Sequence, residues 1–335
     1  MRAAVLEGKK KIVMKDMPEP AMGPKDVLVR SRACGICGTD VHIWEGEFFP
    51  TYPLVPGHEL AGEIVDVGAE VRDLKAGDRV MVDPTVTCEE CHFCMTQRQN
   101  HCLSWNAVGV TRDGGFAELV RVPAKNCYRF TRASFAEGAF TEPLACVVFG
   151  QDRARIDIGS EVLIVGAGPI GQLHVQASKA NGAASVTVID TVESKLDLAK
   201  RMGATHAVVV DNALSEKLGK IARYGFDVVI DATGNAKAVE TSIRYIKNGG
   251  KFLIFGVCSP DAKIEISPFE IYRRDLSIIG SFAIRRTYDR AVKLMENGII
   301  NVKELVSEAM PVEDLSRGLE LMRAGKAGMK LQVTF

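Results

Sequence analysis

No run of ~18 uninterrupted apolar residues occurs anywhere in the 335-residue chain, so no segment reads as a membrane-spanning helix. The N-terminus, MRAAVLEGKKKIVMKD, is broken by charge at short intervals and lacks the apolar core of a secretory leader. Net charge is also absent, since 42 Lys plus Arg offset 42 Asp plus Glu. That balance leaves no basic stripe for a phosphate backbone and no drive toward acidic membranes, so neither nucleic acid nor membrane is an expected partner. Internal repeats and low-complexity tracts are missing too. The expected setting is cytoplasmic and reducing, where nine cysteines read as metal ligands or small buried side chains rather than disulfides.

What is present is 47% hydrophobic and 25% charged residues, enough for a substantial core and two domains. Four of the cysteines fall in CEECHFCMTQRQNHC, spaced C-x2-C-x2-C-x7-C. A two-residue gap lets both sulfurs of a pair turn toward one tetrahedral Zn2+. Cys88, Cys91, Cys94 and Cys102 therefore read as a closed structural site, because four protein ligands leave no position for a substrate. A nucleic-acid-binding zinc module is disfavoured by Glu89 and Glu90 within the cluster.

Up to about residue 130 the chain offers short apolar or alternating segments (DVLVRSR, LAGEIVDV, DRVMVD, FAELVRV) punctuated by Gly, Pro and Asp, the pattern of an antiparallel β domain, a small barrel. Ser134 followed by Glu137 forms a capping box that opens a helical stretch. From about 155 to 282, apolar runs (EVLIVG, SVTVID, HAVVV, FDVVID, KFLIFG, LSIIGSF) alternate with helical segments. Short continuous apolar runs suit strands buried on both faces, which implies a doubly wound parallel sheet of six strands. Gly203 is placed to end the helix of VESKLDLAKRMGA in a left-handed cap.

The first strand-to-helix turn of this region reads VLIVGAGPIGQLH, a G-x-G-x-x-G motif at Gly166, Gly168 and Gly171. Its place between a strand and a helix is what makes it a dinucleotide signature. Gly166 allows the tight turn, Gly168 lets the backbone approach a pyrophosphate and Gly171 lets helix and strand pack closely. Pro169, Ile170 and Val257 are further candidate contacts. Nineteen residues beyond Gly171, Asp190 ends the second strand, where a carboxylate binds ribose hydroxyls and repels a 2′-phosphate. NAD is expected over NADP, with Lys195 able to admit some NADP; Asp190 as a cap on the following helix is the plainer reading.

A nicotinamide cofactor needs a centre that activates the carbon exchanging hydride. CGICGTDVH brings Cys34, Cys37, Asp40 and His42, PGHELAGE brings His58 and Glu59, and FTEPLACV brings Glu142 and Cys146. These residues, with DGGFAEL, GAGPIG and DATGN, resemble the zinc-dependent medium-chain dehydrogenase/reductase family, the zinc alcohol dehydrogenases, over essentially the whole chain. The resemblance implies an α/β protein in which a GroES-like β-barrel catalytic domain (1–150 and 285–335, carrying the cysteine lobe 88–102) surrounds a Rossmann doubly wound parallel six-stranded NAD-binding domain (151–284). It implies two zinc ions per chain, one structural and one catalytic. Cys37 and His58 map onto catalytic-zinc ligands, and the third ligand is open among Glu142, Glu59 and Cys146. A catalytic zinc acts as a Lewis acid on an alcohol oxygen. Thr39 and His42 match the family's proton relay, Asp40 would orient His58, and an ordinary surface histidine is the plainer reading of His42.

ICGTDVHIW, GHE and EPLA look most like the sorbitol/polyol dehydrogenase branch, so the expected reaction is hydride transfer from a secondary alcohol of a polyol or sugar-type substrate to NAD. L-Threonine 3-dehydrogenase and general alcohol dehydrogenase are the alternatives, although DPTVTC before the cysteine lobe lacks the histidine usual in the threonine enzymes. A zinc-free quinone reductase or a non-enzymatic relative would lack the metal residues that this chain keeps. Trp44, Phe48 and Tyr52 in IWEGEFFPTYP, and Arg285 and Arg286 in SFAIRR, would approach the substrate cleft, the arginines as anion ligands or as solvated side chains. Relatives assemble through the Rossmann domain, so a homo-oligomer, dimer or tetramer, is expected.

Overall fold

The computed structural model describes residues 1–48 and 52–335. It divides into two compact units, Met1–Ala145 with Ile284–Gly298 and Val302–Phe335, and Cys146–Ala283 with Ile299–Asn301. No helix is long and apolar enough to cross a membrane among the described residues.

The first unit is built on a sheet in the order Val306–Pro311, Lys330–Thr334, Asp26–Gly35, Glu59–Val67, Arg79–Val82 and Cys127–Arg129, with Leu119–Pro123 also pairing with Asp26–Gly35. The segments DVLVRSR, LAGEIVDV and DRVMVD form three of these strands and pair antiparallel. One pairing departs from an all-antiparallel domain: Val306–Pro311 runs parallel to Lys330–Thr334. Parallel neighbours need a crossover, and the helix Leu315–Arg323 supplies it. The tail strand then pairs antiparallel with Asp26–Gly35. One apolar cluster accordingly joins Ala3, Leu6, Val29, Ile36, Phe116 and Val120 to Leu315, Leu319, Leu331 and Val333 from the far end of the chain. Ser134 and Glu137 form the expected box, Ser134 N donating to Glu137 Oε2 at 2.7 Å and Glu137 N to Ser134 Oγ at 3.2 Å.

The second unit is a six-stranded parallel sheet in the order His206–Val209, Ser185–Asp190, Glu161–Val165, Phe226–Asp231, Ile246–Ile254, Ser277–Gly280. All six apolar runs become strands, and the chain starts in the third position, steps outward twice, then crosses to fill the other side. This is the doubly wound order, whose switch point lies beside the first strand. Val162, Leu163 and Ile164 of that strand are fully buried, as covering on both faces demands. Gly203 follows the helix Glu193–Arg201 at φ 105°, a backbone angle that glycine adopts at little cost.

The helix Tyr288–Glu296 is anchored at both ends within the first unit. Tyr288, 1% exposed, donates its hydroxyl to Val82 O at 2.8 Å. The Glu296 carboxylate accepts from the amides of Thr131 (2.8 Å), Arg132 (3.0 Å) and Ala133 (2.9 Å). Partial burial works against the charged form, but these amides outweigh it and hold the Glu296 carboxyl below its ordinary value. A group depressed in the folded state stabilises above its unfolded pKa, and that contribution disappears as pH falls through the folded one. Glu296→Gln should therefore lower stability by about 2 kcal/mol at pH 7. In denaturant titrations its deficit against wild type should narrow progressively below pH ~4.5, the region where the carboxyl of an unfolded chain protonates.

Candidate active site

Three side chains, one from a helix start and two from the start of a strand, converge in the first unit. Cys37 is the N-cap of the helix Gly38–Glu45, held by a capping box in which its own amide donates to Asp40 Oδ2 at 2.8 Å. His58 directly precedes the strand Glu59–Val67, whose first residue is Glu59. Donor atoms of Cys37, His58 and Glu59 all lie within 4.8 Å of one another. His58 and Glu59 are 5% and 1% exposed.

The polar bookkeeping of this pocket is incomplete without a ligand. Glu59 Oε2, His58 Nδ1 and Asp40 Oδ1 are buried with no hydrogen-bond partner, and such orphans cost about 1–3 kcal/mol each. A sulfur, an imidazole and a carboxylate at this spacing suit a zinc ion that keeps an open position. Asp40 lies on the Nδ1 side of His58, its Oδ1 3.5 Å away. Burial disfavours the His58 imidazolium, but Asp40 and Cys37 overcome it and push that group up well above its ordinary value. Gly35 clears the space for Glu59: a β-carbon there would stand 1.9 Å from Oε2.

The residue that sequence reasoning missed is Lys330. It is 5% exposed, and its Nζ lies 2.6 Å from Glu59 Oε1 and 3.3 Å from Ile36 O. Burial alone would lower the Lys330 ammonium, but Glu59 first and then Cys37 and Glu142 reverse this and push it up. Glu142, on the helix Thr141–Ala154, thus acts on the pocket through its field while standing outside the three-donor cluster. Cys146 is likewise outside that cluster. The only sequence signal for Lys330 was its place, two residues from Gln332, on one face of the final strand.

Thr39 Oγ1 lies 3.7 Å from Cys37 Sγ. One turn further along the same helix, His42 Nδ1 contacts Glu47 Oε2 at 2.6 Å, and its ring lies 4.4 Å from that of Phe48. Trp44 is buried in the core, and Tyr52 donates to Ile43 O at 3.3 Å. The rest of that aromatic stretch, 49–51, lies outside the described residues.

In the cysteine lobe the Sγ atoms of Cys88 and Cys102 are 3.4 Å apart, Cys88 and Cys94 3.9 Å, and Cys91 and Cys102 4.0 Å. Zn–S bonds of ~2.3 Å at tetrahedral angles put sulfurs about 3.8 Å apart, so the four fit one ion. Backbone amides around the Cys91 sulfur hold its thiol down to about 6, as a thiolate ligand requires. Arg286, expected as an anion ligand or a solvated side chain, is exposed and reaches Gln99 of this lobe, whose side-chain amide, assigned with its oxygen toward the guanidinium, accepts from Arg286 Nη2 at 2.6 Å and from Nε. Arg285 is half-buried.

In the second unit, Gly166 sits at φ 100° and a β-carbon on Gly171 would stand 2.0 Å from Gly166 O. A β-carbon on Gly168 would meet nothing within 4 Å, so the turn is open at the position where a pyrophosphate would approach. Gly168 caps the helix Pro169–Ala180, leaving its first amides for an anion. Asp190 stiffens the turn, accepting from Ala167 N at 2.7 Å and Val192 N at 2.9 Å. Lys195 is half-buried nearby in sequence, and Val257 is 63% exposed.

Residues 23–132 match the alcohol dehydrogenase GroES-like domain, and residues 169–297 match the zinc-binding dehydrogenase domain. D-Altritol 5-dehydrogenase of Agrobacterium fabrum is 37% identical over 99% of both chains. The chain belongs to the zinc-dependent medium-chain dehydrogenases. D-Arabinitol dehydrogenase 1 of Uromyces fabae is 36% identical over 94% of this chain and 91% of its own. Among solved structures, a putative zinc-binding dehydrogenase of Sinorhizobium meliloti bound to NADP superposes with a TM-score of 0.93 at 36% identity, covering 100% of this chain and 99% of that one.

Two substitutions test the pocket's geometry in this dehydrogenase. Lys330→Met should destabilise by about 3–5 kcal/mol in chemical denaturation, because it strands a buried carboxylate. Gly35→Ala should drive the Glu59 carboxylate from its place, and a crystal structure of the variant showing Glu59 unmoved would contradict this reading.

Proposed function

We propose that the protein is a zinc-dependent polyol dehydrogenase that oxidises a secondary alcohol of a polyol or sugar-type substrate to a ketone with NAD as acceptor. The observation that carries this reading is the convergence of Cys37, His58 and Glu59, with Glu59 Oε2 buried and unpartnered among the described residues and Asp40 set against the Nδ1 side of His58. The full-length relatives that act on D-altritol and D-arabinitol support the substrate class. The first unit would be the GroES-like catalytic domain and the second the dinucleotide-binding domain.

When bound, zinc supplies a Lewis acid for the alcohol oxygen and the dinucleotide supplies the hydride acceptor. Cys37, His58 and Glu59 would hold the catalytic ion, with Glu142 the alternative third ligand, and Cys88, Cys91, Cys94 and Cys102 the structural one. Asp40 would fix the ring of His58 from its Nδ1 side. Thr39 Oγ1 would accept the hydroxyl proton and pass it toward His42. With Nδ1 committed to Glu47, a neutral His42 carries its proton there and presents Nε2 as the base. Glu47 then steadies the imidazolium that forms. Lys330 neutralises one oxygen of Glu59 and leaves the other for the metal. Gly166, Gly168 and Gly171, with Pro169 and Ile170, would cradle the pyrophosphate. Asp190 supports NAD over NADP, since a 2′-phosphate beside its carboxylate would meet like charge.

Purified protein should contain two zinc ions per chain by elemental analysis. Cys37→Ser should lose the catalytic one, and with it more than ~99% of the rate, consistent with removing a contribution of several kcal/mol. A steady-state panel of altritol, arabinitol, sorbitol, xylitol, L-threonine and ethanol would sink the polyol assignment if threonine or ethanol gave the highest kcat/KM. Asp190→Ala should raise the NADP to NAD ratio of kcat/KM at least ten-fold, the equivalent of ~1.4 kcal/mol.

A further inference from the structure

We propose that the second unit carries an anion site for a small phosphate monoester, at the opposite edge of its sheet from the glycine-rich turn. A cavity of about 280 Å3 opens where the strands Phe226–Asp231 and Ile246–Ile254 begin. Dinucleotides in this fold bind at the carboxyl ends of the strands, so this amino-end cavity is separate from the cofactor's place.

Three arginines, Arg223, Arg244 and Arg274, line it, and no Asp or Glu does among the described residues. None of the three forms an ion pair with a carboxylate among the described residues, whereas Lys217, Lys220, Lys247 and Arg273 of this unit do. Among the described residues Arg244 donates only from Nε, to Thr241 O at 2.8 Å, and its guanidinium lies 5.7 Å from the centroid of the Tyr245 ring. Arg274 engages Nε with Asn248 Oδ1 at 3.2 Å and Nη2 with Ile246 O. Arg223 makes no hydrogen bond among the described residues and lies 5.5 Å from the centroid of the Tyr224 ring. Several guanidinium donors therefore remain around one cavity, where like charges repel until an anion enters. Ser215 Oγ and Tyr245 Oη, 3.0 Å apart, add neutral donors to the same lining.

A neighbouring cavity of about 380 Å3 shows the contrast. Its Arg155, Lys247 and Lys251 share the lining with Asp157 and Asp227, and Asp227 pairs with Lys247 at 2.9 Å, which leaves a smaller surplus than three unopposed arginines. Two features select a phosphate monoester for the first cavity. The planar forks suit a tetrahedral dianion, and the volume, near the lower limit of ~300 Å3 for small-molecule sites, admits a sugar-sized body that Tyr224 and Tyr245 can cover.

The test is isothermal titration of the zinc-loaded full-length protein, with NADH saturating so that its phosphate-binding turn is occupied. Glucose 6-phosphate should bind, glucose should give no heat, and inorganic phosphate should bind at least ten-fold more weakly. Arg223→Gln should weaken glucose 6-phosphate at least ten-fold, and the double variant with Arg244→Gln should remove binding. Silence with glucose 6-phosphate, equal affinity for inorganic phosphate, or undiminished binding by the double variant would overturn the site. Arginines that merely cap chain ends predict that last result together with a lowered melting temperature. In the unaltered protein, glucose 6-phosphate should slow phenylglyoxal modification of Arg223 and Arg244, read by mass spectrometry, several-fold without slowing it at Arg72. Equal modification of all three would also overturn the site.

Discussion

Lys330 Nζ lies 2.6 Å from Glu59 Oε1 with both side chains almost wholly shielded from water. Removing two charges from water is costly, and the attraction between them repays it only in good geometry. That requirement ties together distant parts of the first unit. The tail strand must return to pair with Asp26–Gly35, Gly35 must lack a side chain, and Glu59 must open its strand opposite it. Those conditions also fix the position of His58, the residue before Glu59. The parallel pairing of Val306–Pro311 with the tail and the crossover helix between them hold the lysine in register.

The same pair gives Glu59 two unlike oxygens. One is neutralised by an ammonium, while the other is buried with no hydrogen-bond partner among the described residues. A pocket that leaves Glu59 Oε2 unsatisfied beside a thiol and an imidazole is costly by itself and suited to a divalent cation. Strain of this kind at a functional site is offset by the packing around it, here a core that draws on residues from Ala3 to Val333. The cysteine lobe follows a different logic, because its four sulfurs already stand at zinc-like separations and backbone amides hold the Cys91 thiol down, while burial pushes the Cys94 thiol up.

Much of this was legible beforehand, for identifiable reasons. Six apolar runs became six parallel strands because a strand covered on both faces must be continuously apolar. Gly166 and Gly171 could be assigned separate duties because each answers a local constraint that favours glycine, a left-handed turn at the first and a close helix approach at the second, while Gly168 stands in open space. The cysteine spacing was readable because its ligands are close in sequence. Arg286 was not readable: its partner Gln99 is far away in the chain, and charge alone suggested an anion ligand. The parallel pair at the C-terminus escaped for a similar reason, since strand direction depends on the crossover and not on the strand's own pattern. The amino-end cavity with its three arginines was equally hidden, being assembled from a helix end, two strand starts and a separate helix.

The sequence by itself determined the family, the doubly wound unit, the glycine turn and the four-cysteine lobe, because each is written in residues a few positions apart whose spacing obeys local geometry. Only the tertiary structure brought a donor atom of Glu59 within 4.8 Å of those of Cys37 and His58, set a lysine from the last strand against it, and joined Glu47 to His42. Those outcomes depend on which charges share one buried volume. Coulomb energies and desolvation act through space, with no regard for separation along the chain.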